Sequence, residues 1–243
     1  FGDDDDTSAT TMEDNDLEFV IGSISTTGNV TLHLDGNVRD NNDGALNIEA
    51  NTLTVDNANE FNDQFGADSD DIEGSITAFT ADVGELALTN NQDLEIGDPD
   101  LDGDGNPETW TEVDGSGVVT AGSGNPTNNA IGIRTRIGGA TINVGMNNLV
   151  INGVIMARAD FTNPNTSNQP IAVPGADIEL IAGAIDINAS VIAGGSVLGD
   201  PGNITIEPGS ISQNLNIGHD PDNPGLGGLN ISQRELNFLR TEN

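Results

Sequence analysis

"ADIELIAGAIDINASVIAGG", residues 176–195, decides the fold. Ile178 and Leu180 alternate with other residues, a corner of Ala and Gly follows, and Ile185 and Ile187 alternate again. Alternation over so few residues marks a short strand with one face buried, and the small residues between them mark a tight turn. The flanking stretches repeat the plan. "GATINVGMNNLVINGVIMA" (139–157) supplies Ile142/Val144 and then Leu149/Ile151. "GNITIEPGSISQNLNIG" (202–218) supplies Ile204/Ile206 and then Leu215/Ile217. Ile178 to Ile204 is a step of 26 residues and Ile142 to Ile178 a step of 36, stretched by the loop "FTNPNTSNQPIAVPG".

One such unit is too small to bury its own apolar side chains, so the units must stack. The expected architecture is all-β, a parallel β-helix or solenoid. In it Ile178, Leu180, Ile185 and Ile187 point inward and lie on Ile204, Ile206, Leu215 and Ile217. A β-sandwich is the alternative, since it also has short strands and Gly-rich turns. Only 3% of the 243 residues are aromatic, which favours thin layers of Ile, Val, Leu and Ala. Earlier runs such as "NVTLHLDG", "ALNIEANTLTV" and "SITAFTADVGELALT" alternate in the same way.

The chain divides on this reading into an acidic linker at 1–16, a first solenoid part at 17–97, a hairpin insertion at 98–120, regular coils at 121–230 and a short capping segment at 231–243. Because it opens at Phe1 rather than Met, it reads as an excerpt of a longer protein. In the last segment Ser232 and Glu235 form a capping box, predicting one helical turn that packs Leu236 and Leu239 on the end of a coil.

Forty acidic residues face six basic ones, all arginine, for a formal charge of −34. Phosphate binding needs clustered cations, so nucleic acid is excluded as a partner, as is an anionic membrane surface. No apolar run is long enough to insert in a membrane. The charge instead favours cations and a medium salty enough to screen self-repulsion. With no cysteine there is no disulfide, zinc–thiolate site or cysteine nucleophile.

The densest acidic stretch is "DPDLDGDGNPE", 98–108. Asp100, Asp102, Asp104 and Glu108 can converge on one centre, with the Asn106 carbonyl as a further oxygen. Gly103 and Gly105 permit the tight backbone. A hard cation seeking 6–8 oxygens at about 2.3–2.6 Å fits that set, so the expected metal is Ca²⁺. An EF-hand fits poorly, because position twelve would be Thr109 or Thr111. The loop instead resembles the calcium hairpins of integrin-type propeller repeats. A solvated acidic turn is the bland reading, which four close carboxylates without a cation disfavour. The acidic clusters at 3–6, 35–44, 68–71 and 219–225 are weaker and read as solvated tail or turn as readily as cation loops.

"GSISTTGNVTL", "LTVDNANEFN…ITAFTADVGELALTNNQDLEIG" and "ADIELIAGAIDINASVIAGG" resemble repeats of giant filamentous-haemagglutinin-like bacterial surface exoproteins. "GLGGLNISQRELNFL" is similar to a Leu-x-(Leu/Ile)-Ser-x-x-Glu-Leu segment recurring in them. The resemblance runs from Leu17 onward. It implies a right-handed parallel β-helix, secretion to the cell surface or medium, and an adhesive or structural role. No catalytic residue is implied.

The expected function is therefore an extracellular adhesive or structural module, a Ca²⁺-stabilised filament building block whose partners are neighbouring repeats or further copies. The alternative is a module binding glycans or a host surface through the hairpin and the 158–175 loop, which the scarcity of aromatic platforms weakens. A polysaccharide-degrading enzyme is the third reading. It would need paired carboxylates, for which Asp70, Asp71 and the His219/Asp220 pair are poor material, and no catalytic residue is assigned. Five Asn-x-Ser/Thr sequons occur, at Asn29, Asn165, Asn188, Asn203 and Asn230, and most are expected by chance in so Asn-rich a chain.

Overall fold

The computed structural model describes residues 18–34, 36–40, 44–56, 63–66, 71–97, 132–157, 176–194, 202–219 and 228–242. Among them the chain is all-β with one short helix, and every strand pair is parallel. A β-sandwich would be dominated by antiparallel pairs, so that alternative is overturned.

One ladder runs through β1 (Glu18–Ile21), β4 (Asn37–Asp40), β6 (Gln64–Phe65), β8 (Glu85–Asn90), β11 (Ala140–Asn143), β14 (Ile178–Ala182) and β17 (Ile204–Pro208). A second begins with β2 (Ile24–Ser25) and β3 (Asn29–His33), both on β5 (Ile48–Asp56), which pairs β7 (Ile72–Val83). There it divides. One branch takes β9 (Leu94–Ile96), β12 (Asn148–Ile151) and β15 (Ala184–Ile187). The other takes β10 (Ile133–Thr135), β13 (Ile155–Ala157), β16 (Val191–Gly194) and β20 (Leu239–Glu242). Beyond β15 lies β19 (Leu229–Ser232), which pairs β18 (Leu215–His219). The pairings cross residues 98–131 without a break.

Register turns the alternation into columns. Phe19, Val38, Phe65, Leu86, Ala140, Ile178 and Ile204 stand one above another. So do Leu32, Val55, Ala81, Ile133, Ile155, Val191 and Leu239. A third column holds Val30, Leu53, Phe79, Ile96, Ile151 and Ile187. Members of all three join a single hydrophobic cluster, so both ladders face one core. Within it the rings of Phe65 and Phe79 stack with centroids 6.5 Å apart.

Ile178, Leu180, Ile185 and Ile187 are buried, and the first two lie on Ile204 and Ile206 as expected. Two details differ. Ile178 and Leu180 pair with Ala140 and Ile142, not with Ile142 and Val144, because Ala140 is a full inward position despite its small side chain. Leu215 and Ile217 do not lie on Ile185 and Ile187: they pair with Leu229 and Ile231, which occupy the buried place beside β15. The helix α1 (Gln233–Leu236) forms where the capping box predicts it. Ser232 Oγ accepts from the Glu235 N–H (3.2 Å), and Glu235 Oε2 accepts from the Ser232 N–H (2.6 Å). Leu236 and Leu239 pack against the core.

Candidate functional sites

Corners are where a stack of parallel strands loses its regular hydrogen bonds, and Asn and Asp side chains take over there. Asp177 Oδ1 accepts from the N–H of Asn203 (2.7 Å), Asp93 Oδ1 from Asn148 (2.8 Å) and Asn37 Oδ1 from Gln64 (2.9 Å). Asp63 Oδ2 accepts from the Gly36 N–H (2.9 Å). Each bond reaches a neighbouring rung and satisfies a donor that would otherwise lack a partner. Part of the acidic and amide content thus has structural work.

The proposed calcium ligands Asp100, Asp102, Asp104, Asn106 and Glu108 lie outside the described residues, as do Asp70, Asp220 and the 158–175 loop. The residues flanking the acidic insertion are described. A Cβ at Gly97 would lie 2.7 Å from the Gly153 nitrogen, and one at Gly132 would lie 2.7 Å from the Gly153 carbonyl carbon. The chain therefore departs and rejoins against the same residue of the next rung, at a corner that residues 152–154 cross directly. An insertion placed so leaves the ladders intact.

Just past that point sits a feature sequence reasoning missed. Asp82, buried on β7, receives Arg136 through Nε (2.7 Å) and Nη2 (2.6 Å) and Arg134 through Nε (3.2 Å). Arg134 is the in-register neighbour of Asp82. Two of the six arginines in the chain converge on one carboxylate. Their spacing, two apart with Arg134 on β10 and Arg136 in the bend just after it, was the available signal.

Along the same corner runs a chain of side chains. Arg234 Nη2 donates to Asn188 Oδ1 (3.3 Å), Asn188 Nδ2 to Asn152 Oδ1 (3.1 Å), and Asn152 Nδ2 to Glu95 Oε1 (2.7 Å). Arginine can only donate and a carboxylate only accept, so the two ends fix the orientation of both amides. The sequon amides of Asn188, Asn203 and Asn230 all donate, the last two to Asp177 Oδ1 and the Gly228 carbonyl.

A third cluster joins Asn47, Asp40, Glu73 and Asp71. Asn47 is wholly buried; its Oδ1 accepts from the Glu73 N–H (2.8 Å) and its Nδ2 donates to Asp40 Oδ1 (2.9 Å). Burial first, then the charges of Asp40 and Asp71, raise the Glu73 carboxyl above its usual value. Asp71 accepts from the Thr89 hydroxyl. His219, the other residue weighed for catalysis, is at the far end of the stack, paired with Ser232. Among the described residues no group of three or more His, Cys, Asp or Glu could hold a metal ion.

No protein-family model matches the chain, and no curated protein or solved structure matches it.

Proposed function

We propose that the parallel ladders are faces of a right-handed β-helix, and that the chain is a Ca²⁺-stiffened structural and adhesive module of an extracellular or cell-surface protein. The observation that carries this reading is the set of aliphatic columns, up to seven rungs deep, lining one core. Stacked rungs of fixed register make a stiff support, and the right hand rests on the resemblance to exoprotein repeats. Secretion and adhesion rest on the resemblance to exoprotein repeats. The departure and return of residues 98–131 at one corner support a protruding insertion, whose Asp100, Asp102, Asp104, Asn106 and Glu108 would hold the ion. No described helix is long and apolar enough to cross a membrane.

Calorimetry tests the metal. One Ca²⁺ per chain is expected, with a higher melting temperature when it is bound. The Asp102→Ala/Asp104→Ala double variant should lose both effects. Unchanged stoichiometry in that variant would defeat the assignment.

A further inference from the structure

Glu73 is held where three rungs meet. Its N–H and carbonyl both bond Asn47, whose own carbonyl accepts from the Ile24 N–H of the first rung (2.7 Å). The Asn47 amide holds both residues, its Nδ2 on Asp40 Oδ1 and its Oδ1 on the Glu73 N–H, which brings the Asp40 charge to bear on the Glu73 carboxyl. Glu73 Oε2 is closed to solvent and has no hydrogen-bond partner. The groups acting on Glu73 are Asp40 from β4, Asp71 at the head of β7, and its own N–H. On β8, in register with Glu73, Thr89 gives its hydroxyl to Asp71. Arg39, beside Asp40 on β4, faces Glu18 at 3.7 Å.

Two carboxylates so placed repel, whereas a single proton between them makes a hydrogen bond of the same contact. We propose that Asp40 and Glu73 share one proton across adjacent rungs, and that its loss is a pH switch loosening the junction that Asn47 makes between them. Burial and the two neighbouring charges raise the Glu73 carboxyl above 4.5, its ordinary value. The folded chain therefore keeps this proton to a higher pH than the unfolded chain does. The site's contribution to stability is complete below the ordinary range and is lost as pH rises through the raised value.

Two measurements in EDTA test the switch, using the full 243-residue chain. Melting temperatures of the wild type and Glu73→Gln should coincide at pH 4. The variant should melt higher above that, by about 2 °C or more at pH 7. Glu49→Gln, removing an exposed carboxylate that accepts from Ser25 Oγ (2.7 Å), is the control and should show no such growth with pH. Carboxyl ¹³C titration should place the Glu73 midpoint above the ordinary range, and Asp40→Asn should lower it. This second measurement stands even if Glu73→Gln fails to fold. A melting difference that is constant from pH 4 to 8, or a Glu73 midpoint that Asp40→Asn leaves unmoved, would overturn the proposal. So would a raised midpoint that appears only after Ca²⁺ is added, since the device would then be a cation and not a proton.

Discussion

A largely buried carboxylate, as at Asp82, is tolerated because two guanidiniums converge on it. Three charge-assisted donors replace its hydration, whereas removing one of them leaves charge buried and underpaired. Arg136→Ala, deleting two of the three, should cost about 2–3 kcal/mol in chemical denaturation at fixed salt. The Arg39–Glu18 pair is the contrast: it spans 3.7 Å between partly exposed and exposed side chains, and its coupling in a double-mutant cycle should be within about 0.5 kcal/mol. Equal effects would mean that the Asp82 cluster is no anchor. At this scale the sequence was only partly legible. Arginine content read as net charge, because nothing local reveals that residues 52 positions apart, Asp82 and Arg134, are neighbours across an insertion. The corner role of Asp177, Asp93 and Asn37 was hidden likewise: Asn and Asp read as turn markers, while their partners lie one rung away.

Alternation within a strand is a local property, and it placed Ile178, Leu180, Ile185 and Ile187 inside without error. Register between strands is not local. "LNI" occurs at 215–217 and again at 229–231, and no residue inside either tripeptide says which one the core receives. The residues after the second copy decide it: Ser232 caps α1, and that turn delivers β20 onto β16. Leu229 and Ile231 are consequently buried, while Leu215 is 40% and Ile217 64% exposed. Leu229→Ala or Ile231→Ala should therefore cost about 2–4 kcal/mol. Leu215→Ala and Ile217→Ala should each cost less than about 1 kcal/mol. The reverse ranking would restore the simpler alignment in which β18 lies on β15. Ala140 teaches the same lesson from the other side, since a small residue counts as core when its column is filled by Leu86 below and Ile178 above.

At the scale of the whole molecule, the two ends of the stack are unlike its middle. The column of Phe19 falls from 45% exposed at the first rung to complete burial at Phe65, and opens again at the half-buried Ile204. Backbone groups of β1 and β17 beyond the described pairings, and the apolar side chains of β18, invite contact with another chain or with further repeats. Self-repulsion opposes it, because every copy carries a formal charge of −34. Little of that charge sits on the end strands themselves: residues 18–34 hold one acidic side chain, Glu18, and residues 202–218 hold one, Glu207. Screening shortens from about 10 Å at 0.1 M salt to about 3 Å at 1 M, so added NaCl should relieve most of what remains. Ca²⁺ should act at far lower concentration, since it neutralises clustered carboxylates directly as well as screening them. Light scattering and electron microscopy across EDTA, NaCl and CaCl₂ give the measurement. Particles lengthening end to end in CaCl₂ and shortening again in EDTA are expected, with 1 M NaCl giving a weaker effect. Particles that stay monomeric in all three would mean that the ends are covered within the chain, and the isolated module would then replace the filament block.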